Sequence, residues 1–227
     1  MSVNVHRKIV LDTETTGLDS KNGDRVVEIG CVEIYNFVPT GRTFHTYINP
    51  QREVHPEASA VTGLTYAFLK DFPLFEQIAE DFLDFIAEDQ LVIHNASFDI
   101  RFLNAELARL DKPPLRTDRV IDTLSLARRL FPGAPASLDA LCRRFNVDSS
   151  QRTLHGALLD CTLLAEVYLY LMGGKQAGLA LESSNQQKVA GTAFVKKYPH
   201  RVFAPTQEEI VAHKAFCAGM KESLWNL

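Results

Sequence analysis

Three short segments of this chain set acids directly against apolar residues, and any fold it adopts must accommodate them. They are IVLDTETTGL at residues 9–18, VIHNASFDIRF at 92–102 and LHGALLDCTLLAE at 154–166. Burying an unpaired carboxylate is costly, so acids in such surroundings call for cations. The polar groups concerned are Asp12, Glu14, Asp99, His155 and Asp160.

The periodicity around these segments predicts an α/β fold. Residues 8–13, 25–36 and 42–49 read as strands, and the first two are separated by the turn-rich GLDSKNGD. This gives an antiparallel three-strand start. A short helical element at 56–61 and a helix at 74–86 follow, the latter with Phe75, Ile78, Ala79, Phe82, Phe85 and Ile86 at helical spacing. Then strand and helix alternate: strand 91–93, helix 98–110, strand 120–122, and helices 124–130, 137–145 and 156–171, with Ser137 as an N-cap. Such alternation implies parallel crossovers, hence a mixed five-stranded sheet flanked by helices.

Gly173 and Gly174 stop the last of these helices, and SSNQQKVAGT is polar without periodicity. The expected organisation is a folded body over 1–172, a flexible linker over 173–200 and a C-terminal segment over 201–227. That last segment regains apolar residues and holds the chain's single tryptophan, Trp225. From Asn185 onward six Lys and Arg face three Asp and Glu, leaving net −7 for the rest of a chain whose total is −4. An acidic body binds nucleic acid poorly by itself, because Lys and Arg normally neutralise phosphate. Metal ions or a partner would have to help.

No apolar run approaches the roughly 18 residues that span a bilayer, and the start MSVNVHRKIVLDTE lacks a signal-peptide pattern. The expectation is a cytoplasmic protein without a membrane partner. Cys31, Cys142, Cys161 and Cys217 are scattered, with no ligand spacing for zinc and no disulfide framework. Cys142 and Cys161 read as small core residues.

Spacing constrains the chemistry. Two residues apart on a strand, Asp12 and Glu14 project from one face and can bracket one or two hard cations. Alone, a D-x-E is also what a solvated acidic strand end looks like. Asp99 falls in the first turns of a helix, where by itself it would only complement the dipole, with Asn95 or Ser97 as cap. Residues five apart on a helix lie about 140° apart around its axis, so His155 and Asp160 cannot share one face. His155 should therefore precede the helix, with Gly156 as a flexible joint. Asp160 should point inward among Leu159, Leu163, Leu164 and Val167.

Four carboxylates without Cys or a ligand-spaced His pair suit Mg2+ or Mn2+ rather than zinc. Two such ions about 3.5–4 Å apart can activate a water and stabilise the leaving oxygen of a phosphodiester. His155 is then the candidate base.

The motifs D-x-E, N-x-x-F-D and H-x-x-x-x-D stand here as Asp12 with Glu14, Asn95 to Asp99, and His155 with Asp160. In that order they resemble the DEDDh 3′-to-5′ exonucleases, a family of the ribonuclease H-like fold, across residues 8–172. LDTETTGL, LVIHNASFDI, SLDALC and RTLHGALLDCTLLAEVYL are similar to the branch that proofreads for replicative DNA polymerases. The resemblance implies that Asp12, Glu14, Asp99 and Asp160 hold two divalent cations and that His155 is the general base. It further implies that Thr15, Glu57 and Phe98, beside Asp12, Glu14 and Asp160, receive the 3′-terminal nucleotide. Thr62 stands where that branch has a nucleotide-contacting His; a Thr retains one hydrogen to donate.

The tail fits the same branch. QAGLAL, with Gln176, Leu179 and Leu181, resembles peptides that bind a sliding clamp, and SLWNL, with Leu224 and Trp225, resembles a segment that docks on the polymerase catalytic subunit. The implied activity is removal of mismatched 3′-terminal nucleotides, as monophosphates, from a single-stranded or frayed DNA end within a polymerase complex that can include a small accessory subunit. Two other readings are a free-standing relative that trims RNA or oligonucleotide 3′ ends, and a bridge between polymerase and clamp whose site has decayed. The presence of all five polar groups argues against decay.

Overall fold

The run IVL at residues 9–11 is unbroken apolar sequence because both of its faces are covered: Ile9 and Leu11 are fully buried in one layer and Val10 in the other. It lies in β1, Arg7–Thr15, the central strand of the sheet. The computed structural model describes residues 7–152, 154–173 and 204–219. These fall into two units, one within 1–180 and one within 181–227.

β2 (Val26–Tyr35) pairs antiparallel with β1, and β3 (Val38–Tyr47) antiparallel with β2. β4 (Gln90–Ile93) runs parallel to β1, and β5 (Val120–Asp122) parallel to β4. The order β3-β2-β1-β4-β5 is the mixed sheet that the sequence predicts. One strand begins earlier than expected, at Val38 rather than residue 42. Asn36 and Phe37 both take positive φ, 51° and 66°, and form a two-residue hairpin turn. Pro39 and Gly41 obscured the strand, but β3 lies at the sheet edge, where a proline is tolerated.

The helices are α1 (Pro56–Thr62), α2 (Tyr66–Leu69), α3 (Phe75–Ile86), α4 (Ala96–Ala108), α5 (Thr123–Leu130), α6 (Leu138–Phe145), α7 (Ala157–Leu171) and α8 (Gln207–Ala218). Ser137 caps α6 as expected, accepting from the Ala140 N–H. The unforeseen α2 is a single turn capped by Thr65. α4 starts two residues before the expected position.

Phe75, Phe82 and Ile86 of α3 and Phe102, Leu103 and Leu107 of α4 pack on the Ile9/Leu11 face. Ala127 of α5, Leu141 of α6 and Leu164, Val167 and Tyr168 of α7 cover the Val10/Val32/Ile34 face. Full burial of one such aliphatic or aromatic side chain contributes roughly 1.5–3 kcal/mol. Cys31, Cys142 and Cys161 are buried free thiols in these two layers.

One glycine sets how closely α7 approaches the sheet. A Cβ at Gly30 would lie 2.4 Å from the Ala157 carbonyl carbon and 2.5 Å from the Leu158 nitrogen, so only glycine lets the start of α7 rest on β2. The Cys161 thiol donates to the Gly30 carbonyl at 3.1 Å one turn later.

In the second unit, Thr206 and Glu209 form a capping box at the start of α8, a T-x-x-E pattern legible in the sequence. Gln176, Leu179, Leu181, Leu224 and Trp225 lie outside the described residues. Among the described residues no helix is long and apolar enough to cross a membrane.

Candidate active site

Strand alternation carries Asp12 and Glu14 to the same side as Val10, the side that α7 covers. Opposite them in register on β2 are Gly30 and Glu28. The gap at Gly30 admits α7, which brings Asp160 against the two acids. Asp160 lies in the first turn of α7, where the helix dipole favours negative charge.

His155 precedes this helix, as the spacing requires, and its N–H donates to the Val61 carbonyl at 3.0 Å. Gly156 between them has extended backbone, φ −153° and ψ 127°, with open space where a Cβ would stand. The expected need for a flexible glycine joint is therefore not met; the α1 contact places His155 instead.

Asp99 arrives from the other layer. α4 packs on the Ile9/Leu11 face, and its first turn lies over the carboxyl end of β4. Asn95 makes that sharp entry in the left-handed region, φ 64°, which Asn tolerates. Asp99 is buried and bonded to Thr13 of β1, so it does more than complement a helix dipole. The five groups thus converge from both faces at the carboxyl ends of β1 and β4, where ligands bind in open α/β sheets. They line one cleft of about 310 Å³.

The cleft is electrostatically crowded. Burial, then the charges of Asp99, Glu14, Asp160 and Glu28, push the Asp12 pKa well above its usual range. Burial and the neighbouring acids push Glu14 up to about 8. Burial raises Asp99 to about 7 even though Thr13 hydrogen bonds oppose it. Acids so placed resist ionising together unless positive charge joins them.

One positive group of the chain is already there. The guanidinium of Arg152 binds Asp160 with two bonds, Nε to Oδ1 at 2.5 Å and Nη2 to Oδ2 at 2.7 Å. Its Nη1 reaches Asp139 at 2.7 Å, and Nη2 also donates to His155 Nδ1 at 3.0 Å. Arg152 was missed in the sequence although it stands three residues before His155. Charge bookkeeping would have found it, since a set of buried acids needs cations from somewhere. Glu28 was missed too: it is buried beside Glu14 and paired with His45 Nε2 at 2.7 Å.

Glu14, His155 and Asp160 each offer a ligand atom within 4.8 Å of one another. Two carboxylates and an imidazole within this distance, with the crowded carboxyls of Asp12 and Asp99 in the same cleft, fit a divalent metal ion.

A second cavity, about 620 Å³, adjoins the cleft through Glu14 and Phe98. It gathers Thr15, Glu57, Phe98 and Thr62. The Thr62 hydroxyl donates to the Ala58 carbonyl at 3.0 Å and accepts from the Leu64 N–H at 3.1 Å, so its one hydrogen is spent locally. The far wall is organised by buried Asp24, which accepts from the Thr16 hydroxyl and the Asp19 N–H and meets His55 Nε2 at 3.2 Å. Burial would raise the Asp24 pKa, but these hydrogen bonds hold it below the usual carboxylate value.

The signature of the exonuclease family matches residues 9–168. The DNA polymerase III epsilon subunit of Rickettsia conorii is 51% identical over 217 residues, which cover 92% of this chain and 94% of that protein. This chain belongs to the exonuclease family that includes the epsilon subunit of DNA polymerase III. The epsilon subunit of Escherichia coli is 45% identical, with 95% of this chain and 93% of that one covered. Among solved structures, exonuclease X in complex with 5′-overhanging duplex DNA superposes with a TM-score of 0.59 at 29% identity, covering 74% of this chain and 92% of that one. The nuclease domain of 3′hExo, a DEDDh family member bound to rAMP, gives 0.62 at 16% identity over 77% and 95%, a likeness of fold. The chain is therefore a nuclease of the epsilon type, and a family of this kind works with divalent metal.

Proposed function

We propose that this chain is the 3′-to-5′ proofreading exonuclease of a replicative DNA polymerase III, removing mismatched 3′-terminal nucleotides as monophosphates. The observation that carries the reading is the meeting of Asp12, Glu14, Asp99, His155 and Asp160 beside a cavity of nucleotide size. Asp12, Glu14, Asp99 and Asp160 would hold two divalent cations, Mg2+ or Mn2+. When bound, such ions supply charge stabilisation at the phosphoryl oxygens and lower the pKa of the attacking water.

Thr15, Glu57 and Phe98 receive the terminal nucleotide, and the walls of their cavity fix its sugar and base while the scissile phosphate faces the acids. His155, with its side chain 44% exposed at the rim, takes the proton of the attacking water and passes it to solvent. The exonuclease domain spans 1–172, a linker 173–200 and a polymerase-docking segment 201–227, through Leu224 and Trp225. Gln176, Leu179 and Leu181 would meet a sliding clamp. An acidic body tethered in this way gains its DNA from the assembly, within the cytoplasm.

The test is release of a mismatched 3′ nucleotide by the purified chain, with and without divalent metal, against Asp12→Ala. Metal-dependent release of a nucleoside monophosphate, absent in the variant, is expected. No release by the wild type, or equal release by Asp12→Ala, would sink the reading. Truncation after Gly174 should end co-elution with the polymerase while leaving nuclease activity intact.

A further inference from the structure

Two helix ends carry arginines to one corner of a unit that is otherwise acidic. Arg128 and Arg129 stand in the last turn of α5, Arg143 and Arg144 in the last turn of α6, and all four are exposed. The ends meet through aromatic rings: the Arg144 guanidinium lies 4.4 Å from the centre of the Phe131 ring, and Phe131 and Phe145 are 5.9 Å apart. Arg143 and Arg144, with Pro135 and Ala140, line an open depression of about 480 Å³. Among the described residues none of the four arginines joins an ion pair.

A cation in a last helical turn gains about 0.3–1 kcal/mol from the dipole. That accounts for one arginine on each helix. It does not account for doubling the charge on both and then bringing the two ends together, where like charges repel.

The corner lies one helix length from the cleft along both α5 and α6. Ser137 and Leu138, at the start of α6, line the acid cavity, and the eight residues of this helix span about 12 Å. On the α5 side, His94 lines the same cleft and bonds Thr123 at 3.0 Å. A strand whose last nucleotide lies against the acids and which leaves along α6 would meet the corner within a few nucleotides.

We infer that the corner formed by Arg128, Arg129, Arg143 and Arg144 binds the phosphate backbone of the strand being trimmed, upstream of its 3′ end. The inference rests on the exonuclease reading and deepens it. Guanidinium groups suit phosphate by geometry and weak hydration, and a basic groove that tracks a single strand does so without regard to sequence. The local charge also offsets the repulsion that an acidic body otherwise exerts on nucleic acid.

The experiment uses the full chain with Arg129→Gln/Arg143→Gln, which leaves the Arg144 and Phe131 contact in place, and Arg144→Gln as a second variant. Two substrates are compared: a ten-nucleotide single strand, and a nitrophenyl ester of thymidine 5′-monophosphate that reaches only the acids and the nucleotide cavity. With the double variant, kcat/KM on the oligonucleotide should fall on the order of 10-fold at low salt while ester hydrolysis stays within about twofold. The salt dependence of oligonucleotide binding should become shallower by about 1.4 in log–log slope for the two charges lost. Unchanged oligonucleotide cleavage and slope would overturn the inference. So would an equal loss on both substrates, or a loss confined to co-elution with the polymerase, which would make the corner a protein interface. If the wild type cleaves neither substrate, the exonuclease reading fails, and oligonucleotide affinity by anisotropy then decides: an unchanged Kd in the double variant overturns the inference by itself.

Discussion

Thr13 gives both of its hydrogen bonds to a single oxygen of Asp99: its N–H reaches Oδ1 at 3.0 Å and its hydroxyl reaches the same atom at 2.7 Å. The pair ties α4 to β1 and engages one carboxylate oxygen of Asp99 with two donors. Thr13→Val keeps the shape and removes only the hydroxyl bond. A loss of about 1 kcal/mol in stability is expected, with a fall on the order of 10-fold in kcat as Asp99 loosens. Urea melts and steady-state rates check the two numbers.

The His155 backbone is fixed by its N–H bond to Val61, and its half-exposed side chain makes one hydrogen bond, to Arg152, so His155→Ala should leave the fold largely unchanged. The rate should fall on the order of 10²-fold. A near-normal rate across pH 6–9 would remove His155 from the role of base.

The crowded acids make a prediction about pH and metal together. Burial first, and neighbouring charge second, raise Glu14 to about 8, and burial raises Asp99 to about 7. A carboxyl whose pKa is higher folded than unfolded favours the fold in its neutral form. That stability is fully present below the ordinary carboxylate pKa and is lost as pH climbs through 7 to 8. In chelator the melting temperature should therefore drop by several degrees between pH 5 and 8.5, at roughly 2–4 °C per kcal/mol for a domain of this size. Mg2+ or Mn2+ should restore it at the alkaline end. A flat chelated profile would contradict the crowding.

Gly30 and Gly156 make a matched pair of tests. Gly30→Ala drives a Cβ into the backbone of Ala157, with an expected cost of about 1–3 kcal/mol and a larger loss of activity as α7 shifts and carries Asp160 with it. Gly156→Ala meets open space and should leave the rate within about twofold. Chemical denaturation and rates on both variants decide whether the close approach at residue 30, rather than freedom at residue 156, sets the geometry.

Much of this was legible because the relevant signals are local. Continuous apolar residues in KIVL marked a strand covered on both faces, and the five-residue spacing of His155 and Asp160 forced one of them off the helix. The mixed, five-stranded character of the sheet followed from three strands and then crossovers, while the strand order β3-β2-β1-β4-β5 came from the structure. Features that depend on distant partners were not legible. β3 was cut short because its edge position, which excuses Pro39, is a property of the assembled sheet. Arg152 gave no sign of its three partners, two of which lie in other elements. Thr62 was expected to have one hydrogen to donate to a nucleotide, but the end of α1 uses it.

The site takes Asp99 from the layer of α3 and α4 and Asp160 from the layer of α5 to α7, so neither half of the molecule contains a cutting centre. During synthesis the first acids emerge early, while α7 follows after nearly all the rest of the sheet and its helices. The five groups come together only where α7 packs on the sheet, so the candidate site is a property of the tertiary fold and of no single segment.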